Sequence, residues 1–194
     1  MKQRVQRPSR REGPLEPQRP QIARAGLAAL MAWGALGAAS PPAWAQDDLG
    51  IPLGTLAKAI TIEDLDGQPV DLAQFIGKKA VLLEFWATWC PLCRALEPKM
   101  AAARERYGDR VEFIVVAVAV NQSRASIKRH LARHPMPFRV LWDTNGNAVR
   151  AFQAPSTSYV VTLDAEGRVR YTGAGEDQDI EVAVRAALQL PGVR

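Results

Sequence analysis

Two cysteines, the only ones in this sequence of 194 residues, stand three positions apart in the segment FWATWCPLC. Two sulfurs at this spacing can bind a metal ion, form a structural disulfide, or exchange electrons with the thiols of another protein. A bridge between Cys90 and Cys93 would close a very short loop, and the entropic stabilisation by a disulfide grows with loop length. A purely structural bridge is therefore a poor explanation of this spacing.

A metal site is the first alternative. His130 and His134, the two histidines of the chain, complete a pattern of C-x2-C and H-x3-H. Zinc fingers place about a dozen residues between the two pairs, whereas 36 residues separate Cys93 from His130 here. The spacing disfavours zinc and indicates histidines exposed on a charged helix. A copper site formed by the two thiolates stays open, because soft ligands suit Cu(I).

The elements around the cysteines predict how they are held. Residues 80–86 (AVLLEFW) form a nearly continuous apolar run, which is typical of a strand buried on both faces. Residues 94–107 predict a helix that contains Pro98, and we expect this proline to kink or locally break it. The cysteines therefore lie between a buried strand and the start of a helix.

This position suits thiol–disulfide exchange. At a helix N-terminus, Cys90 faces unpaired backbone N–H groups and the positive end of the helix dipole, so the pKa of its thiol should fall. Cys93 lies one turn deeper on the same face, and Pro91 suits the first helical turn. We expect an exposed nucleophile, Cys90, and a sheltered resolving thiol, Cys93.

The rest of the sequence alternates strands and helices and ends in a hairpin. This order indicates an α/β sandwich with a mixed central sheet. The predicted elements are a hairpin (60–72), a strand (111–120), a helix opened by Ser123 (123–134), a strand (138–142), a short helix (147–153), a second hairpin (158–173) and a helix (180–190).

The N-terminal residues resemble an export signal. A basic stretch precedes an apolar run of about 15 residues, AGLAALMAWGALGAA, and Ala43-Trp44-Ala45 fits the small-x-small cleavage pattern. The apolar run is shorter than the roughly 20 residues that span a bilayer. We expect residues 1–45 to be a signal peptide, with an uncleaved anchor as the alternative, residues 46–58 to be an exposed lead-in, and residues 59–194 to be the domain.

The charge balance changes when the signal is set aside. Residues 1–45 hold 7 of the 25 Lys and Arg residues and 2 of the 20 Asp and Glu residues, which leaves 18 of each. The remaining chain is formally neutral, so composition gives no support to nucleic acid as a partner.

FWATWCPLC, with a buried strand before it and a helix after it, closely resembles the signature of the exported TlpA/ResA-type thiol–disulfide oxidoreductases. The similarity extends over about residues 60–190. It implies a thioredoxin-like three-layer sandwich, with a mixed central sheet flanked by helices and an added N-terminal β-hairpin.

The resemblance also assigns roles outside the cysteine pair. Pro155, before the strand in APSTSYVV, would be the cis-proline beside the disulfide, and Ala154 would offer its backbone to an extended substrate. Trp89 would shield Cys90 and contact the substrate, while Trp86 would pack in the core.

Acidic residues follow the family only in part. Glu84 stands where thioredoxins bear a buried acid; burial should raise its pKa and let it carry a proton to or from Cys93. Many members have a glutamate three residues after the second cysteine, but this chain has Leu96 there and Glu97 next. Any proton transfer by that family glutamate is then expected of Glu84 or Glu97.

The resemblance implies a monomeric periplasmic enzyme, soluble or anchored by its N-terminus, that reduces protein disulfides, for example in cytochrome c or copper-site maturation. It needs no cofactor besides the Cys90-Cys93 disulfide, and a membrane thiol carrier of the DsbD/CcdA type would re-reduce it. Two alternatives remain: an oxidant of the same fold that donates disulfides, and a non-catalytic copper chaperone. A peroxidase is disfavoured because Ala87 stands where the peroxide-reducing relatives need threonine.

Overall fold

The central strand of the fold is nearly all apolar and is buried on both faces. In the computed structural model, which describes residues 49–191, strand β3 (Ala80–Trp86) is buried at every position. It pairs in parallel with β4 (Val111–Val118) and antiparallel with β6 (Tyr159–Leu163). This strand carries Glu84 and leads directly to the cysteine pair.

The sheet is mixed, as expected, and the described residues give it seven strands in the order β2-β1-β5-β4-β3-β6-β7. The predicted N-terminal hairpin is confirmed, with shorter strands, and the predicted C-terminal hairpin joins β6 to β7 in antiparallel register. The remaining strands are β1 (Thr61–Glu63), β2 (Pro69–Asp71), β5 (Arg139–Asp143) and β7 (Val169–Gly173).

Helices cover both faces of the sheet. The Thr162 hydroxyl, on the face shared with Glu84 and Trp86, donates to the Ala183 carbonyl of the last helix. Phe85, on the opposite face, packs against Phe152. The helices are α1 (Pro91–Tyr107), α2 (Arg124–Arg133), α3 (Asn147–Ala151) and α4 (Ile180–Ala187). Among residues 49–191, no helix combines the length and the hydropathy needed to cross a bilayer.

Helix α1 begins where its first turn was predicted, at Pro91 after the N-cap residue Cys90, and it continues through Pro98 without a break. Proline removes the hydrogen bond to the carbonyl four residues earlier, that of Arg94. Both residues are exposed, so water can satisfy this carbonyl and the helix continues.

The expected exposed lead-in holds in part for residues 49–58. Most of these residues are exposed, but Ile51 and Ala57 are buried in the core. The backbone N–H of Gly54 donates to the Val169 carbonyl, and Val169 donates back to Thr55. This segment therefore pairs through its backbone with residues 167–169, at the start of β7. The predicted signal peptide and residues 46–48 lie outside the described residues.

Candidate active site

The cysteine pair lies at the N-terminus of α1, as predicted. Cys90 is the N-cap residue, and its sulfur accepts a hydrogen bond from the backbone N–H of Cys93 at 3.1 Å. Pro91 occupies the first helical turn, where its missing N–H costs no helical hydrogen bond. Cys90 and Cys93 are joined in a disulfide, with their Cα atoms 5.4 Å apart.

The prediction of an exposed nucleophile is wrong for this oxidised form. Cys90 is only 1% exposed, and Cys93 is fully buried. The sulfur of Cys90 turns inward because it bonds to the sulfur of Cys93 and accepts from the Cys93 N–H, at the third position of the helix. The disulfide is therefore enclosed, and thiol attack requires local movement.

Apolar side chains surround the pair on the surface. Trp89 and Leu92 are 45% and 40% exposed, and Val120, from the loop after β4, is 53% exposed. The Trp89 indole Nε1 donates to the Val120 carbonyl at 2.8 Å, which joins the two loops. Trp89 is thus held at the surface beside Cys90, and its contact with a substrate stays a prediction.

A second contact between these loops involves a residue that the sequence did not point to. Gln122 Oε1 accepts from the backbone N–H of Thr88 at 2.9 Å, and Gln122 Nε2 donates to the Val118 carbonyl at 2.7 Å. Its only sequence signal is a polar amide shortly after a buried strand, which is common. The structure alone brings it to the active site.

Glu84 lies inside the protein on the face of β3 that α1 covers. It is 1% exposed, and its Oε1 atom is buried without a hydrogen-bond partner. Burial raises the pKa of Glu84 to about 8, and the charge of Glu97 adds to the rise. The carboxyl is therefore mostly protonated at neutral pH, and the ionised fraction, which can accept a proton, grows as the pH rises toward 8. Its role as a proton carrier stays a prediction.

Glu97, rather than the residue before it, is the second acidic group of the site. Leu96 is fully buried in the core, while Glu97 is half-buried. Partial burial raises the pKa of Glu97, although the Trp86 indole N–H and the charge of His134 act in the opposite direction. Trp86 Nε1 approaches Glu97 without the geometry of a hydrogen bond.

The histidines lie next to this acidic pair. The rings of His130 and Trp86 meet edge to face, with their centroids 5.5 Å apart, and the centroids of the His130 and His134 rings lie 5.0 Å apart. Burial lowers the pKa of His130, whereas His134 is exposed as expected. Residues 49–191 contain no cluster of three or more His, Cys, Asp or Glu side chains placed to hold a metal ion.

The prediction of a cis-proline is not met. The described residues contain no cis peptide bond, so the bond before Pro155 is trans. Pro155 is exposed, and three residues separate it from Tyr159, the first residue of β6. Instead, Ser158 makes the tight approach to the site: it has a positive φ of 60°, and its N–H donates to the Phe85 carbonyl at 2.7 Å.

Comparison with known sequences agrees with this arrangement. The model of the Redoxin family matches residues 52–188. The thioredoxin-like protein YneN of Bacillus subtilis is 29% identical over 148 residues, which cover 75% of this chain and 85% of YneN. The thiol-disulfide oxidoreductase ResA of Halalkalibacterium halodurans is 28% identical over 131 residues, 66% of this chain and 73% of ResA.

Solved structures show the same fold. The exposed lipoprotein thioredoxin Etrx1 of Streptococcus pneumoniae superposes with a TM-score of 0.58 at 25% identity, covering 68% of this chain and 98% of its own. A thiol:disulfide interchange protein of the thioredoxin family from Chlorobium tepidum gives 0.56 at 24%, covering 70% and 95%. The predicted thioredoxin-like α/β fold is confirmed.

Proposed function

Because the chain belongs to the Redoxin family, whose model covers residues 52–188, we propose that it reduces disulfides of exported proteins with its Cys90-Cys93 dithiol. The chain is a thiol–disulfide oxidoreductase, like its ResA relatives. The observation that carries the proposal is the redox pair itself, a disulfide at the N-terminus of α1 with a buried Glu84 under that helix.

The reaction proceeds in two exchanges. The Cys90 thiolate attacks one sulfur of the substrate disulfide, forms a mixed disulfide, and releases the other substrate sulfur as a thiolate that takes up a proton. The Cys93 thiolate then attacks the Cys90 sulfur and releases the second substrate thiol. The substrate gains two electrons and two protons, and Cys90 and Cys93 return to the disulfide.

Glu84 takes part in the second exchange. Cys93 is buried, so its proton needs an acceptor inside the protein before the thiolate can attack. A carboxyl whose pKa lies at about 8 is well matched to a thiol, because proton transfer between the two is nearly balanced in free energy. In this proposal Glu84 receives that proton and returns it when the disulfide is reduced again.

Substrate contact would involve the surface around Cys90. Trp89 offers an exposed apolar ring beside the pair. Ala154, which is half-buried, would meet an extended substrate segment through its backbone. Apocytochrome c and the copper-site cysteines of respiratory oxidases are the substrates that we propose to test first.

The proposed place of action is the periplasm, reached through the signal in residues 1–45, with the domain either released after cleavage or held by an N-terminal anchor. A membrane dithiol carrier of the DsbD/CcdA type would supply the electrons for each turnover. Fractionation of cells that express the full chain tests the location, since recovery in the cytosol would contradict export.

The reduction potential of the purified protein tests the direction of electron flow. Equilibration in thiol buffers, followed by tryptophan fluorescence, measures it, because Trp89 should report on the nearby disulfide. A value near that of thioredoxin, about −270 mV, is expected of a reductant. A value near that of DsbA, about −120 mV, would identify a disulfide donor. Absence of a reversible transition, with copper bound after purification, would favour the chaperone alternative.

A further inference from the structure

The loop that follows β4 holds the turn before Cys90 at two points. Trp89 Nε1 donates to the Val120 carbonyl at 2.8 Å, and the Thr88 N–H donates to Gln122 Oε1 at 2.9 Å. The second contact differs from the first, because it fixes the backbone of the turn rather than a side chain at the surface.

Gln122 uses both ends of its amide. While its oxygen accepts from Thr88, its nitrogen donates to the carbonyl of Val118, the last residue of β4, at 2.7 Å. Only one orientation of the amide satisfies both bonds. Since Val118 belongs to a strand in the middle of the sheet and is only 6% exposed, the side chain ties Thr88 to a rigid part of the molecule.

Thr88 lies inside the turn that leads to the nucleophile, Cys90. The Cys90 N–H donates to the Ala87 carbonyl at 3.1 Å, so residues 87–90 close a tight turn around Thr88 and Trp89. This turn sets the extended backbone of Cys90, with φ −85° and ψ 107°, which lets its sulfur accept from the Cys93 N–H. A change at Thr88 is therefore transmitted to the N-cap.

We propose that Gln122 is a positioning residue for Cys90: its amide fixes the turn at residues 87–90 against the end of β4 and so keeps Cys90 seated as the N-cap of α1. The inference rests on the proposed function, because it concerns the nucleophile of that reaction. Gln122 does not touch the reacting sulfur; it acts through Thr88.

Two substitutions separate the parts of this bridge. Gln122→Leu removes both hydrogen bonds at similar volume. Gln122→Glu keeps an acceptor for the Thr88 N–H, but its carboxylate cannot donate to Val118, and it places a negative charge against the turn that leads to Cys90. Both variants are made in the whole chain with both cysteines present.

Three measurements test the hydrogen bonds of Gln122 and their effect on Cys90. Hydrogen exchange at the Thr88 amide reports whether the bond to residue 122 persists. The pH midpoint of Cys90 alkylation in the reduced protein reports the stabilisation of the thiolate by the N-cap. The equilibrium constant with glutathione reports the balance between dithiol and disulfide. A loop that serves stability alone would lower the melting temperature and leave the last two unchanged.

For Gln122→Leu we expect loss of protection at Thr88 and a rise of about one pH unit in the alkylation midpoint, because a freed turn loosens the N-cap bond to Cys90. The equilibrium with glutathione should shift by about tenfold toward the disulfide form, because the reduced form loses the stabilisation of its Cys90 thiolate. For Gln122→Glu we expect Thr88 to stay protected. Its midpoint should rise at low salt through like-charge repulsion, and at high salt it should lie between those of the wild type and the Leu variant.

Gln74→Leu is the matched control. The Gln74 amide also donates to a backbone carbonyl, that of Asp71 at 2.9 Å, but on an exposed turn at the edge of the sheet. Its alkylation midpoint and glutathione equilibrium should equal those of the wild type.

The proposal is overturned if Gln122→Leu exposes the Thr88 amide and leaves both the midpoint and the equilibrium constant at their wild-type values. It is also overturned if Thr88 stays protected in that variant. Should the Leu variant not fold, a wild-type midpoint for Gln122→Glu at high salt would contradict it. These measurements do not need a protein substrate, so they can succeed even if the proposed reductase activity fails.

Discussion

At the scale of single residues, the two sulfurs have unequal tasks that substitution can separate. Cys90 caps the helix from its first turn, and Cys93 is fully buried behind it. Replacing Cys93 with Ser should leave the first exchange intact and remove the second. The variant is expected to accumulate mixed disulfides with substrate proteins and to lose turnover, as non-reducing gels and mass spectrometry would show.

Cys90→Ser is the control for this trap. It lacks the attacking sulfur and should form no such adducts through the enclosed Cys93. Adducts of equal yield in both variants would assign the attack to Cys93 and reverse the proposed roles of the two sulfurs.

Glu84→Gln tests the buried proton acceptor. Burial raises the pKa of Glu84 to about 8, so its carboxylate, the form that accepts a proton from Cys93, grows as the pH rises through that value. The variant should turn over roughly 100-fold more slowly, and the rise of the wild-type rate around this pH should flatten. Stopped-flow exchange between pH 6 and 10 measures it; superimposable profiles would refute the role of Glu84.

Some residues of the candidate site can be predicted from the sequence, and others cannot. The cysteine pair and Glu84 could be predicted because their spacing and their position in an apolar strand carry the signal. Gln122 could not be, since only the folded sheet brings the end of β4 beside Thr88. The contact of His130 with Trp86 was missed for the same reason.

At the scale of elements, α2 offers a test of local stability away from the sulfurs. Ser123 and Ser126 form a capping box at its start, in which each side chain meets the backbone of the other. Ser123→Ala should lower the free energy of unfolding by about 1 kcal/mol. Denaturant unfolding measures this loss, and the alkylation midpoint of Cys90 is expected to stay unchanged. A shift of that midpoint would mean that α2 itself controls the active-site turn.

Elements with a strong periodic or apolar pattern were predicted well. β3, α1, α2 and both hairpins appear where the sequence placed them, because each carries a local signal such as a buried run, a cap or a turn. The differences arose from tertiary context. Residues 54–57 pair through their backbone with the start of β7, and Ile51 and Ala57 are buried in the core. Pro155 was expected to approach the site, but the tight turn is made three residues later, at Ser158.

At the scale of the whole molecule, the buried carboxyl links stability to pH. Glu84 has an ordinary pKa of 4.5 when exposed and about 8 when folded, so folding favours the protonated form. Its stabilising contribution is complete below about pH 4.5, declines as the pH rises because the unfolded chain ionises first, and stops declining above about 8. We expect the wild type to lose a few kcal/mol of stability relative to Glu84→Gln across this interval.

Denaturant unfolding of the two oxidised proteins at a series of pH values measures this difference. The comparison with Glu84→Gln cancels the contributions of the surface carboxylates, which both proteins share. A constant difference between pH 4.5 and 8 would show that Glu84 reaches water in the folded protein.

The enclosure of the disulfide has a kinetic consequence. Because only 1% of Cys90 is exposed to solvent, a reductant in solution can attack the disulfide only after a transient local opening of the site. The observed rate of reduction should then increase with the dithiothreitol concentration when that concentration is low. It should level off once every opening of the site is followed by reduction. The plateau rate would equal the rate of that opening motion. A partner protein that stabilises the open site would reduce the disulfide faster than this plateau rate. A reduction rate that stays proportional to the dithiothreitol concentration up to the highest values would mean that the reductant reaches the disulfide without a local opening of the site.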